Sequence, residues 1–403
     1  DGRIPLDALG SLSGHGVLVV RDGVALAARL SASGSASAGA AQASPMRCEP
    51  GGTYLITGGT GVLGLRMAQH LADLGARRLV LLSRSGLGDR SAWTGGDQSA
   101  AVRAVTALEE RGVSVTVAAV DIGAPGSADA LRDVLRPLPP VRGVIHAAGV
   151  EAGALLMNTA SDEFAAAMHP KVRGTLALHE VFPPEQLDWM VLFSSCGYLA
   201  GFPGQGAYGC ANAFLDGMAR HRRGLGDRTT AVAWTAWRGL GMGSASEFVA
   251  AQLDALGMGT VGADDAIRAL DLAMREDTAN VVVLPVLPAA AAVPILAEVA
   301  PEDEPDDVAE PGAGEFDPEQ LAAHVLTAVA SQLGLAESDV NVDLPLVELG
   351  VDSIMTVRLR RQLEKQTGLS LPPTLLWEHP TAAAVTARII ELLAPPVECE
   401  IKA

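Results

Sequence analysis

Apolar residues gather along this chain in short β-branched runs, separated by longer stretches in which they recur every three or four positions. The runs predict strands at Tyr54–Thr57, Leu79–Leu82, Val113–Val120, Gly143–Ala147, Met190–Ser194, Thr230–Trp234 and Val281–Val286. Helix-length segments lie between them. That alternation predicts a parallel sheet covered on both faces, an α/β Rossmann-type doubly wound fold over residues 51–290. Residues 1–50 add a strand-like run at Val17–Val20 and then a tract of small residues, Ser31 to Ser44, read as a mobile connection. Beyond residue 290 the pattern changes. Residues 291–317 are rich in Ala, Pro, Glu and Asp, the composition of an exposed linker. Residues 318–395 carry the helical period of a small all-α bundle, and 396–403 form a tail.

Length and composition narrow the picture. At 403 residues, 49% of them hydrophobic, the chain has material for two or three domains with sizeable cores. The formal charge is −18 and the 29 Lys and Arg form no basic block, which disfavours nucleic acid and anionic membrane as partners. Cys48, Cys196, Cys210 and Cys399 make no CxxC pair, so a reducing, cytoplasmic compartment without a metal site is expected. The uncharged stretch Val281–Ala297 contains Pro285, Pro288 and Pro294, which argue against a membrane-spanning helix. The chain opens on Asp1-Gly2-Arg3, neither a signal peptide nor an initiator Met, and is expected to be an excised or processed fragment.

Candidate chemistry begins after the first sheet strand. Thr57-Gly58-Gly59-Thr60-Gly61-Val62-Leu63-Gly64 holds GxGxxG at Gly59, Gly61 and Gly64, between a strand and an amphipathic helix. Glycines there permit a tight turn and let N–H groups at the helix start approach a pyrophosphate. The plainer alternative is a Gly-rich turn with no ligand. The second strand runs into Ser83-Arg84-Ser85, where NAD-binding proteins usually place an acid for the ribose 2′-OH. A guanidinium beside a hydroxyl suits a 2′-phosphate instead, so NADPH is the expected cofactor unless Arg84 is an ordinary surface arginine. Asp121 and Ile122 could hold the adenine edge, although a strand-end Asp is often only a cap. Ala147, Ala148 and Gly149, after His146, line the expected cofactor cleft.

Further on, Phe193-Ser194-Ser195 ends a strand, and Tyr208 and Asn212 follow four residues apart, on one face if Tyr208 begins a helix. Hydride delivery to a ketone needs a proton for the forming alkoxide and a donor for the carbonyl. A phenol beside an ammonium can give the proton near neutral pH, and Ser195 can hold the oxygen. Lys171, in His169-Pro170-Lys171-Val172-Arg173-Gly174, is the candidate cation. Taken singly, Tyr208 could be a half-buried helix tyrosine, Lys171 a surface lysine, and Ser194 rather than Ser195 the working hydroxyl.

Together these residues resemble the catalytic half of a polyketide synthase ketoreductase, a branch of the short-chain dehydrogenase/reductase superfamily. Ordinary members carry YxxxK. This chain has YxxxN with the lysine on the preceding helix, an exchange characteristic of synthase ketoreductases. The resemblance implies Tyr208 as proton donor, Ser195 as carbonyl anchor, and Lys171 and Asn212 in the proton relay. It also implies that Trp234 to Gly243 carries a substrate-side loop, with Gly239, Gly241 and Gly243 as hinges, against the alternative of a core turn with two packing tryptophans. Two stereochemical markers depart from the family: Glu151-Ala152-Gly153 stands where Leu-Asp-Asp is common, and Ala200 where some members have Trp. Residues 1–30 resemble only the last strands of the family's structural half.

Residues 318–395 resemble an acyl carrier protein. Leu349-Gly350-Val351-Asp352-Ser353-Ile354-Met355 is similar to its attachment signature, which implies 4′-phosphopantetheine on Ser353; an Asp-Ser helix cap is the plainer alternative. The run from Met355 to Glu364 and the segment Leu371 to Trp377 are similar to iterative, partially reducing synthases of the methylsalicylate type. Arg358, Arg360 and Arg361 read as a solvated helix face. The resemblance implies a β-ketoacyl thioester substrate and a phosphopantetheinyl transferase as partner. It further implies neighbouring ketosynthase and acyltransferase domains in a homodimeric parent. A carrier and docking module with a silent reductase fold is the alternative.

Overall fold

The computed structural model describes residues 18–21, 24–32, 46–94, 99–150, 159–201, 205–240, 253–254, 256–288, 290, 293–301, 318–333, 338, 340–346, 348–349, 351, 356, 359–360, 362–364, 367–369, 371–372 and 375–393. The chain divides into two compact units, Asp1–Pro301 and Glu302–Ala403.

In the first unit, β1 (Leu18–Arg21) and β2 (Val24–Ala27) form an antiparallel hairpin, so the strand expected near Val17–Val20 has a partner that the apolar pattern did not show. The main sheet is built from β3 (Thr53–Thr57), β4 (Arg78–Ser83), β5 (Ser114–Ala119), β6 (Val141–His146), β7 (Trp189–Ser195), β8 (Thr229–Trp234) and β9 (Asn280–Val283). These are the seven expected strands, all parallel, in the spatial order β5-β4-β3-β6-β7-β8-β9. The order reverses between β3 and β6, and a crevice at such a switch point is where α/β sheets of this kind bind ligands.

Residues alternate between the two faces of each strand, and both faces are buried. Tyr54, Ile56, Leu79, Leu81, Val191 and Phe193 pack on one side against α1 (Val62–Asp73), α2 (Ala100–Glu110) and α7 (Ala263–Ala273). Leu55, Val80, Leu82, Val144 and Leu192 pack on the other, against α3 (Ser127–Leu135), α5 (Gly174–Val181) and α6 (Gly206–Gly224). The two edge strands depart from full burial: in β5 only Val115 is buried, with Ser114 and Ala119 exposed, and in β9 Val281 and Val282 are half-buried, each strand being paired on one side only. β9 ends at Val283 instead of Val286. Val293, Ile295 and Leu296, expected in an exposed linker, are buried with Cys196, Leu199 and Met258, since their apolar side chains find a third cluster to fill.

The helix expected to carry Lys171 is interrupted. α4 (Ser161–Met168) passes into a π-helical turn at His169–Arg173 and only then into α5. Pro170 has no N–H for a regular helical bond, and a wider turn is one way to accommodate the loss.

The second unit encloses its own core. α8 (Pro318–Leu333) packs on α10 (Ala382–Leu393), with α9 (Leu375–Glu378) beside them; Leu321, Val325, Leu346, Leu359, Leu363, Val385 and Ile389 are buried together. Arg360, expected on a solvated face, is mostly buried. It pairs with Glu364 at 2.9 Å and donates to the Leu371 carbonyl at 2.8 Å, tying a helical segment to the chain beyond it. No helix among the described residues is long and apolar enough to cross a membrane.

Candidate active site

The glycine loop leaves β3 at Thr57 and turns through Gly58, which has a φ of 67°. A Cβ at Gly58 would lie 2.9 Å from the Ala147 carbonyl oxygen, and one at Gly59 2.8 Å from that of Ile56; at Gly64 it would overlap the Gly58 carbonyl. Strand, loop and helix therefore close on one another only with glycine at these positions. α1 then starts at Val62 with Gly61 as its N-cap and no side chain capping it, while Leu63 packs against the core. The first N–H groups of a helix have no partner within it. An uncapped start beside an exposed Gly61 and a half-buried Thr60 fits a dinucleotide pyrophosphate.

The end of β6 lies against this loop. Ala147 N donates to the Thr57 carbonyl at 3.1 Å and Ala148 N to Thr57 Oγ1 at 3.3 Å, with half-buried Gly149 following. Thr57 Oγ1 is also 2.6 Å from His146 Nδ1. The segment Ala147–Gly149 and the glycine loop are thus brought together.

At the end of β4, Ser83 Oγ accepts from Gly86 N at 3.0 Å, so this hydroxyl shapes the turn. Arg84 is exposed and makes no hydrogen bond or ion pair among the described residues. Asp121 caps its own turn, accepting from Gly123 N at 3.1 Å, and the Ile122 side chain is buried in the core under α3 and α5. Asp121 thus shapes its own turn, as a strand-end cap does.

The reducing constellation converges at the carboxyl ends of β6 and β7. Lys171 is 4% exposed, and its Nζ donates to the Phe193 carbonyl at 2.7 Å. It stands 5.8 Å from the centre of the Tyr208 ring. Burial pushes its pKa down to about 8, against the opposing pull of Asp216. Tyr208 is half-buried in the first turn of α6, and fully buried Asn212, one turn on, donates from Nδ2 to the Tyr208 carbonyl at 2.8 Å. Ser194 is buried and spends its hydroxyl on the Asn212 carbonyl, 3.3 Å away. Ser195 is the more open of the two, its Oγ accepting from Gly197 N at 3.4 Å and retaining its own proton to donate.

Asp216 and Tyr198 escaped the sequence reading. The Asp216 carboxylate is buried one turn beyond Asn212 and accepts from the Tyr198 hydroxyl. The available signal was the four-residue spacing Tyr208, Asn212, Asp216. Trp234 and Trp237 are both buried, 5.0 Å apart edge to face, so the chain here is a packed core turn. Gly239, with a φ of 71°, follows it, while Gly241 and Gly243 lie outside the described residues, as do Glu151, Ala152 and Gly153.

The family model of the KR domain matches residues 52–239, and that of the phosphopantetheine attachment site matches residues 323–389. The chain carries the KR and carrier domains of a polyketide synthase. It is 40% identical over 402 residues to a 6-methylsalicylic acid synthase of Arthrobotrys oligospora, covering 94% of this chain and 23% of that protein. It is 39% identical over 411 residues to the 6-methylsalicylic acid synthase of Penicillium patulum, covering 97% and 23%. The chain thus spans about a quarter of the length of these relatives. Among solved structures, A-type ketoreductases from a modular polyketide synthase superpose with a TM-score of 0.59 at 34% identity, over 69% of this chain and 56% of theirs. In the KR domain, all the catalytic candidates fall within the matched residues. In the carrier domain, Ser353 and its neighbours Asp352, Ile354 and Met355 lie outside the described residues, between buried Val351 and buried Leu359.

Proposed function

We propose that this chain reduces a β-ketoacyl thioester to the β-hydroxyacyl thioester with NADPH, the acyl chain being tethered through 4′-phosphopantetheine on Ser353. The observation that carries the reading is the buried Lys171 ammonium set beside the Tyr208 ring, at the strand ends next to the glycine loop. A bound NADPH would be held at Gly58 to Gly64, Ala147 to Gly149 and Arg84, and it supplies the hydride. As the carbonyl carbon gains that hydride, the carbonyl oxygen gains a proton from the Tyr208 hydroxyl. Ser195 Oγ donates to the same oxygen and orients it. The Lys171 charge lowers the cost of the phenolate left on Tyr208. Asn212 holds the first turn of α6 to its own second turn and so fixes where the phenol stands. Arg84, exposed and unpaired among the described residues, is the group that would favour a 2′-phosphate. Within a parent synthase, the other expected partners are ketosynthase and acyltransferase domains and a phosphopantetheinyl transferase, in a cytoplasmic homodimer.

The test is NADPH oxidation, followed by absorbance, with a short β-ketoacyl N-acetylcysteamine thioester. Tyr208→Phe is expected to lower kcat at least ~100-fold, the low end of what a positioned proton donor contributes, and NADH is expected to serve poorly. Undiminished turnover in Tyr208→Phe would overturn the assignment. No turnover from folded protein that binds NADPH would favour a carrier module with a silent reductase fold.

A further inference from the structure

The two hydroxyls that must meet one carbonyl oxygen stand on different elements: Ser195 closes β7, and Tyr208 lies in the first turn of α6. Directly after Ser195 comes the 3-10 turn Cys196–Ala200, for which Ser195 is the N-cap. Cys196 and Leu199 bury this turn in the third cluster, with Met258 and Ile295. Tyr198, half-buried, reaches α6. Its Cβ lies 3.1 Å from where a Cβ on Gly209 would stand, next to Tyr208 in sequence. Its hydroxyl donates to Asp216 Oδ2, two turns further along the helix. Asp216 is 4% exposed and is itself braced, its carbonyl accepting from Asn280 Nδ2 of β9 at 3.2 Å. A buried carboxylate is costly unless donors meet it, and the Tyr198 phenol is a donor that does.

We infer that Tyr198 and Asp216 are positioning residues: their hydrogen bond fastens the turn that follows Ser195 to the helix that carries Tyr208, and so holds the two hydroxyls in register for one carbonyl oxygen. This rests on the reductase reading and deepens it, because that reading needs Ser195 and Tyr208 together and names nothing that keeps them so. Another tie, from Ser194 Oγ to the Asn212 carbonyl at 3.3 Å, joins β7 to the same helix one residue before Ser195. Beyond it, the Ser195 hydroxyl answers to the turn, since its Oγ accepts from Gly197 N at 3.4 Å. A turn that lifts from α6 therefore carries Ser195 Oγ with it. Gly209 allows the close approach, and Asp216 holds the far end of the Tyr198 side chain.

The experiment is a double-mutant cycle on the full chain, read by NADPH oxidation with the N-acetylcysteamine substrate. Tyr198→Phe, which removes only the hydroxyl, is expected to lower kcat roughly tenfold, within the ~100-fold that a misplacement of about 1 Å can cost. NADPH affinity is expected to stay as in wild type. Because Tyr198 acts through Ser195, the same change in a Ser195→Ala background is expected to cost less than about twofold, no hydroxyl being left there to misplace. Asp216→Asn keeps an acceptor for the phenol and is expected to retain most of the turnover that Asp216→Leu loses. A purely structural role would give the same loss in both backgrounds, and equal losses would overturn the inference while leaving the reductase reading intact. So would wild-type turnover in Tyr198→Phe. Wild-type protein that reduces no substrate would bring down both. Should Ser195→Ala turn over too slowly to follow, the contrast between Asn and Leu at position 216 decides; should Asp216→Leu not fold, the cycle with Tyr198→Phe decides.

Discussion

His146 closes β6 with no exposure to solvent, and burial, reinforced by the Lys171 charge, pushes its pKa down to about 3 from an ordinary 6.5. Between those values the unfolded chain binds a proton that the folded one refuses, so stability falls as pH drops from about 6.5 toward about 3. At pH 4.5 the loss assignable to this residue is about 2–3 kcal/mol. His146→Gln, which keeps a polar partner for Thr57, is expected to flatten that part of the profile. Urea unfolding at pH 7 and pH 4.5 measures it, and an equal acid loss in both proteins would show that other groups dominate. The residues that carry chemistry were unequally legible. Tyr208 and Asn212 stood out because spacing along the chain reports a shared helix face. Lys171, on the separate π-helical turn, stood out as the cation that a tyrosine proton donor needs. Asp216 did not, because a carboxylate within a helix reads as surface until a tertiary neighbour such as Tyr198 is known. The bond that Ser83 Oγ accepts from Gly86 N, which shapes the following turn, is a local contact that composition cannot reveal.

At the scale of elements, the glycine loop is the tightest joint in the sheet. Gly64→Ala places a methyl group against the Gly58 carbonyl, backbone to backbone, where no side chain can swing aside. Overpacking of this sort costs about 1–3 kcal/mol, and it opens the loop just where N–H groups must converge on pyrophosphate. The expected result is a lowered urea midpoint together with weaker NADPH binding, read by quenching of protein fluorescence. Unchanged cofactor affinity would mean that the pyrophosphate lies elsewhere. The interior strands were readable from the chain because burial on both faces demands continuous apolar runs, as in β3, Thr53–Thr57. β9 was harder to bound: an edge strand answers to one neighbour, and its apolar run continues past Val283 into residues that serve a different cluster. The π-helical turn was signalled by Pro170 but not by periodicity, since apolar spacing does not show one extra residue in a turn.

For the molecule as a whole, two units have separate cores: one matches the KR domain, the other the phosphopantetheine attachment site. Ser353→Ala is expected to abolish the mass gain on incubation with a phosphopantetheinyl transferase and coenzyme A. Retention of the full mass gain would move the attachment to another hydroxyl. A linker was read from composition at 291–317, but the first unit extends to Pro301 and buries Val293, Ile295 and Leu296. An apolar residue in an Ala- and Pro-rich stretch shows its partners only in the folded chain. Less legible was the way the first unit is ordered in time. Of the strands in its main sheet, β3 is made first, and β4 and β5 extend the sheet from one edge only. During synthesis the other edge of β3 stays unpaired until residues 141–146 have emerged, and then β7, β8 and β9 are laid down outward in turn. The nascent chain therefore completes a glycine loop well before it owns the lysine, the serine or the tyrosine. A ribosome paused after β5 would display half a nucleotide cleft and an open strand edge, the stage at which a chaperone would have most to cover.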